Sequence, residues 1–319
     1  MEKYTEIILK SYWDYASYLY HEITTPSWGN YFYWLIGISL CFFLLEWLRP
    51  WRKSQSAVKK DFWLDVFYMF FNFFLFSLIG YYAISNVFVE AFNGFLADVF
   101  GIQNLIAVEV GELPAFAQLA ILFVLRDFIH WNVHRLLHRV PFLWEFHKVH
   151  HSAKELGFAT HLRFHWMETV VYRTIEYIPL GMIGFGIQDF FFVHLVAISI
   201  GHFNHSNIRV PLGFFKYIFN NPQMHKWHHA KHFPPSHPYG INFGISLSVW
   251  DYLFRTAHVP YDAAAIELGY PGDDEMPENF VGQSMFPLSK KKVENPINSD
   301  EKDWKDSEII PEKNQVGPD

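Results

Sequence analysis

The stretch FAQLAILFVLRDFIHWNVHRLLHRVPFLWEFHKVHH, residues 116 to 151, begins as a run of apolar side chains and ends as a run of histidines. Its first half, Phe116 to Val133, has the length and character to cross a hydrocarbon core, which takes roughly 20 apolar residues. Asp127, His130, His134 and His138 follow one another at spacings of 3, 4 and 4, so a helix carries them on one face. A polar stripe on a membrane helix turns toward protein interior or a cavity. Pro141 stops that helix and can open the next one, on which His147, His150 and His151 make an HxxHH box. The i, i+3, i+4 pattern gathers these rings on one side, while the neighbours His150 and His151 diverge by about 100°. Adjacent rings can therefore serve two different metal ions.

Reading outward, Tyr31 to Leu48 (YFYWLIGISLCFFLLEWL) is another span, with its only charge, Glu46, at the exit. Arg49, Arg52, Lys53, Lys59 and Lys60 come next, and the positive-inside rule puts that loop in the cytoplasm and the N-terminus on the opposite side. Phe62 to Phe92 is a longer apolar run that must tilt or lie along the far interface. The loop from Asn93 to Ala115 holds Asp98, Glu109 and Glu112 but no Lys or Arg, as a non-cytoplasmic loop should. Thr169 to Ile200 is interrupted by Gly181, Gly184, Gly186, Gln188 and Asp189, and reads as a helical hairpin turning near Gly186. The expected fold is an all-α integral membrane bundle of about four spans, the last region a hairpin, with a cytoplasmic, histidine-rich helical cap. Three regions follow: an N-terminal interfacial segment (1–30), a membrane-embedded histidine-box domain (31–260) and a polar, partly disordered C-terminal tail (261–319).

The bulk composition agrees. Of 319 residues 51% are hydrophobic and only 18% charged, yet mean hydropathy is just +0.04, so apolar residues are concentrated in segments. A net charge of −7 leaves no broad basic surface for nucleic acid. The one cysteine, Cys41, lies in an apolar run and has no internal disulfide partner. The first residues lack the basic and apolar regions of a signal peptide, so the N-terminus is expected to be retained.

Further histidines fall in spaced groups: His161 and His165 ahead of Glu168, His202 and His205 beside Asn204 and Asn207, and a second HxxHH box at His225, His228 and His229. Imidazole suits Fe, Zn, Cu and Ni, and eight or more convergent rings exceed the four ligands of one structural zinc. Two metal ions are the natural count. For His161 and His165, capping a helix end or bonding Glu168 competes evenly with ligation. His130 reads as a buried, partner-bonded ring, and the default for His21, His194, His232, His237 and His258 is structural.

The order of HxxxH (His134, His138), HxxHH (His147, His150, His151) and HxxHH (His225, His228, His229), interleaved with spans, resembles the fatty acid hydroxylase/sterol desaturase superfamily of integral-membrane enzymes. RFHWME (Arg163, His165, Glu168), HSN (His205, Ser206, Asn207) and the stretch from Tyr239 to Thr256 are similar to further family elements. Two positions depart from them: Trp166 stands where the family has Pro, and Arg255 where it has Gly. The resemblance covers about residues 115 to 260. It implies a centre of two iron ions, with zinc as a possible substitute, that uses O2 to attack an unactivated C–H bond of a lipid. His134, His138, His147, His150, His151, His202, His205, His225, His228 and His229 would be the metal ligands. Asp127, Glu168, Asn207 and Asp251 would orient rings by hydrogen bonding, the last three being the catalytic candidates. No bound organic cofactor is expected. No HPGG stretch marks a cytochrome b5-like domain, so electrons must come from a separate cytochrome b5-like protein, ferredoxin or reductase. An acyl-lipid desaturase is the nearest alternative, though such enzymes favour a longer first box. A membrane metal transporter would place ligands near the bilayer midplane, a bis-His haem carrier would pair histidines deep in facing helices, and a zinc protease would need HExxH.

Overall fold

The computed structural model describes residues 2–102, 110–185 and 187–289. The expectation of a mobile tail over 290–319 lies outside these residues, as do Glu109 and Gly186. Regular structure among the described residues is helical, with a few isolated β-bridges.

Helix α1 (Glu2–Thr24) leads through a short turn into α2 (Tyr31–Leu48), whose 18 residues carry one acidic side chain, Glu46, and no basic one. Helices α3 (Phe62–Phe70) and α4 (Tyr82–Phe100) are joined through two π-helical turns, Phe71–Leu75 and Ser77–Tyr81, into one helical run bent at Gly80. The run is 39 residues long. It extends well into what the sequence reading treats as a loop from Asn93. Segment 1–30 is also more than an interfacial strip, because α1 is strapped along this run: Lys3 pairs with Glu90, and Tyr12 donates to the carbonyl of Ile79 at 2.8 Å.

Helix α5 (Ala115–Arg139) ends at Val140 in extended conformation, and Pro141 opens α6 (Pro141–His151) at its first turn, where a missing N–H costs nothing. The apolar region after Glu168 forms two helices, α7 (Trp166–Met182) and α8 (Ile187–His205). By length and composition α2, the α3–α4 run and α5 are the described helices fit to cross a membrane. Beyond α8 the chain folds into short elements: α9 (Pro222–His228), α10 (Val249–Leu253) and α11 (Phe280–Met285).

A buried ionic knot and a buried carboxyl group tie the cap to the long helices. Lys59 and Arg163 converge on Asp65 at 2.6 and 3.3 Å, with Asp61 and Thr160 completing the set. Glu46, buried at the end of α2, accepts the backbone N–H groups of Phe158 and Asn207 at 2.8 and 2.9 Å. Charges taken from water persist only when paired in this way.

The polar-tail reading fails for residues 261–289. Tyr270, Met276 and Phe286 pack with Tyr68, Trp144 and Val149 in one core cluster. Their anchors are spaced irregularly among Gly and Pro turns, so no periodicity announces them.

Candidate metal centre

Nine histidines converge in two buried groups. His134, His138, His147, His151 and His228 form the first, and His150, His205, His225 and His229 the second, each with ligand nitrogens within 4.8 Å of one another. The i+4 pair of α5 supplies His134 and His138, and α6 supplies His147 and His151 to one group and His150 to the other. Helix α9 likewise divides its box, with His228 in the first group and His225 and His229 in the second.

Asn221 starts α9 by accepting the N–H groups of Gln223 and Met224 at 3.1 Å. Residues 241–256 then fold back over α5 because two buried carboxylates collect their donors. Asp251 accepts from the N–H groups of Phe243 and Gly244, from Trp131 Nε1 and from Thr256 Oγ1, at 2.6 to 3.0 Å. Asp127 takes the N–H groups of Ser246 and Leu247 and Trp250 Nε1. Gly244 has to be glycine, since a Cβ there would sit 2.6 Å from the carbonyl oxygen of Leu247.

The loop so fixed aims the rings. His134 Nδ1 donates to Phe243 O and His228 Nδ1 to Ile241 O, both at 2.8 Å. His150 Nδ1 donates to Arg163 O at 3.0 Å, His205 Nδ1 to Gly201 O at 2.8 Å, and His147 Nδ1 faces Glu168 Oε2 at 2.7 Å. A carbonyl can only accept, so in the neutral rings of His134, His150, His205 and His228 the proton is on Nδ1 and the Nε2 lone pair points away from that carbonyl. Burial first, and neighbouring imidazoles second, hold His147, His151, His228 and His229 well below the ordinary histidine range, and burial takes His150 to about 4. Neutral rings are the ligand form.

These rings fit a metal pair. His138 Nε2, His147 Nε2, His228 Nε2 and both nitrogens of His151 are buried without a hydrogen-bond partner among the described residues. In the second group His205 Nε2 lies 3.3 Å from His150 Nε2 and 2.9 Å from His225 Nε2, and His225 Nε2 lies 3.2 Å from His229 Nε2. His150 and His205 have both spent their one proton on a carbonyl, so two lone pairs face each other with nothing between them. A cation resolves that repulsion. Nitrogens each about 2.1 Å from one ion, at angles from a right angle to the tetrahedral one, sit about 3.0–3.4 Å apart.

Several expected residues stand elsewhere. His202 is outside both groups: its Nε2 meets Ser39 Oγ and its Nδ1 meets His161 Nδ1, each at 3.1 Å. Its place one turn from His205 on α8 directs it toward α2 instead. Of the four residues expected to orient rings, only Glu168 bonds one. Asn207 exchanges hydrogen bonds with the backbone of Arg52, and Asp127 and Asp251 act through the loop. His165 sits at the start of α7, its Nε2 donating to Ser284 O and its Nδ1 accepting the N–H of Met167. His130 pairs with Glu176, which also holds Arg126, and stacks on Tyr172 at 4.3 Å. The carbonyls of Arg163, Gly201, Ile241 and Phe243 were unreadable in the sequence, because any residue supplies a carbonyl. Trp144, 4.9 Å from the His138 ring and 5.3 Å from that of His151, walls the first group from water and had no signal either.

The chain is similar in sequence to known proteins. The fatty acid hydroxylase family profile matches residues 119–256. An ornithine lipid hydroxylase of Rhizobium tropici is 31% identical over 180 residues, covering 56% of this chain and 53% of that protein. The alkylglycerol monooxygenase of Homo sapiens is 28% identical over 147 residues, 46% of this chain and 32% of its own length. A very-long-chain aldehyde decarbonylase of Oryza sativa subsp. japonica is 26% identical over 179 residues, 53% of this chain and 57% of that one. The matched part thus spans about half the length of the first relative and about a third of the human one. No solved structure matches the chain.

Proposed function

We propose, from the premise that residues 119–256 belong to the fatty acid hydroxylase/sterol desaturase superfamily, that this chain is a multi-pass membrane hydroxylase of lipids with two iron ions. His134, His138, His147, His151 and His228 hold one ion, and His150, His205, His225 and His229 the other. The pair, when bound, supplies activation of O2 with electrons from a separate donor protein. The single observation that carries this reading is the facing lone pairs of His150 and His205, 3.3 Å apart.

The protein's own residues do the rest. Backbone carbonyls fix the proton of His134, His150, His205 and His228 on Nδ1, and the Glu168 carboxylate does so for His147, which raises ring basicity. Phe243 packs on His134, His138 and His228, so water is excluded where a C–H bond has to compete with it. Hydroxylation is preferred over desaturation because two of the relatives above are named for inserting oxygen. The substrate is an acyl or alkyl lipid that enters from the bilayer between helices. The basic loop after α2 supports a cytoplasmic metal centre and an N-terminus on the other side.

Metal analysis of purified protein tests the assignment: about two transition-metal ions per chain are expected, with loss in His150→Ala and His225→Ala while the fold persists. Full metal content in both variants sinks it. Lipid profiling of cells with and without the active protein identifies the substrate.

A further inference from the structure

The segments around the box at His225 and the loop at 240–248 are mostly buried, but the stretch between α8 and that box is turned outward. Residues 210–219, VPLGFFKYIF, form the short 3-10 helix Gly213–Tyr217 with none of its residues buried. Phe214 is 72% exposed, and Phe215, Tyr217 and Phe219 are also exposed. The neighbouring α10 adds Leu253, 65% exposed, and Phe254. The two pieces form one surface: Tyr217 and Tyr252 rings lie 4.9 Å apart, Ser248 Oγ donates to Lys216 O at 2.7 Å, and Phe219 bridges to Leu247.

Such a patch on a surface facing water would be an aggregation site. Its exposure matches that of a helix read as spanning, where Phe116 of α5 is 76% exposed. It also adjoins that helix, since Phe254 stacks against Trp131 at 4.8 Å and Phe128 at 6.2 Å. Its own charge is basic: residues 210–219 hold Lys216 and no carboxylate, and Lys216 Nζ lies 5.4 Å from the Tyr217 ring, while Arg209 just before them pairs with Asp262 at 3.4 Å. Aromatic rings with a flanking basic residue are the composition of segments that lie in the interface of a bilayer containing anionic lipid.

We propose that residues 210–219, with Leu253 and Phe254, are sunk in the bilayer interface, so that the region read as a cap rests in lipid on this side. The chain runs from Phe219 through Asn220 and Asn221 directly into the box at His225, and Asn220 N–H is held by Ser246 O at 2.9 Å. The wall of the metal centre on this side therefore adjoins lipid, and an acyl chain can approach it without leaving the membrane.

The test is independent of any metal. A nitroxide is placed by Phe214→Cys in a Cys41→Ser background, the protein is put into nanodiscs containing anionic lipid, and relaxation of the label by O2 and by a water-soluble nickel chelate is compared with a label at Asp274→Cys. Site 274 is an aqueous reference, its side chain being 89% exposed. The expected result is strong relaxation by O2 and several-fold weaker relaxation by nickel than at 274. A nickel response equal to that at 274 overturns the proposal, because the patch is then in water. Protection from both reagents overturns it as well, because a protein surface, a second copy included, then covers it. Phe215→Cys repeats the measurement should the label at 214 perturb folding.

Discussion

The group around His134 takes four of its five rings from consecutive helices, α5 and α6, whereas the group around His225 assembles its four from α6, α8 and α9 with its C-terminal cap. In the first group Nδ1 of three rings is anchored on protein acceptors, and Nε2 of His138, His147, His151 and His228 has no hydrogen-bond partner among the described residues. In the second the Nε2 atoms crowd one another at 2.9 to 3.3 Å. Both groups have rings framed by the protein, three of five in the first and His150 and His205 in the second; only in the second do the ring nitrogens crowd one another. His225 touches both His205 and His229, and its group has four rings against five in the first, so the second site should be the less tolerant of loss.

His225→Ala is therefore expected to remove about one of about two metal ions per chain, while His138→Ala, which leaves four rings in its group, retains close to both. Elemental analysis of the two variants decides it, and equal loss would mean that the groups bind as one unit. Glu168→Gln takes away the carboxylate behind His147 and should weaken the first site about 10- to 100-fold without touching the second. Competition with a graded chelator reads the two affinities separately, and a matching fall at both sites contradicts the separation.

Smaller changes act on the frame. Asp251→Asn leaves donors from Phe243, Gly244, Trp131 and Thr256 facing an amide instead of a carboxylate, at a cost of about 3 kcal/mol in unfolding free energy. Chemical denaturation in detergent measures it, and the accompanying metal loss should be confined to the first site, whose His134 depends on Phe243 O. Arg255 closes α10 with φ 58°, in the left-handed region. That backbone accounts for the glycine that related sequences place there, and Arg255→Gly should stabilise the frame by about 1 kcal/mol, seen as a small rise in melting temperature with metal content unchanged.

Helical periodicity made much of this readable. The spacing of His134 and His138, the break at Pro141 and the divergence of His150 from His151 all follow from 3.6 residues per turn, and the structure places that last pair in different groups. Interruption by glycines likewise located the break between α7 and α8. What escaped were contacts between distant segments. Asp251 and Asp127 were expected to bond rings and bond loop donors instead, since the path of residues 241–256 has no local pattern. His202 shares its spacing with genuine neighbours of the cluster, and only the packing of α2 shows that it faces Ser39. The anchors Tyr270 and Phe286 were hidden in a stretch whose average polarity suggested a tail.

The division of the last box between the two groups also sets an order in time. A ribosome that has made residues up to 205 has produced six of the nine rings and parts of both groups, yet neither group is complete until His225, His228 and His229 are made. With the two groups holding metal as proposed, loading is a late event in biosynthesis, gated by a box that begins six residues beyond the aromatic surface at 210–219. A nascent chain stopped short of it carries lone pairs without a cation, and full-length protein made under metal starvation should be the form that quality control removes.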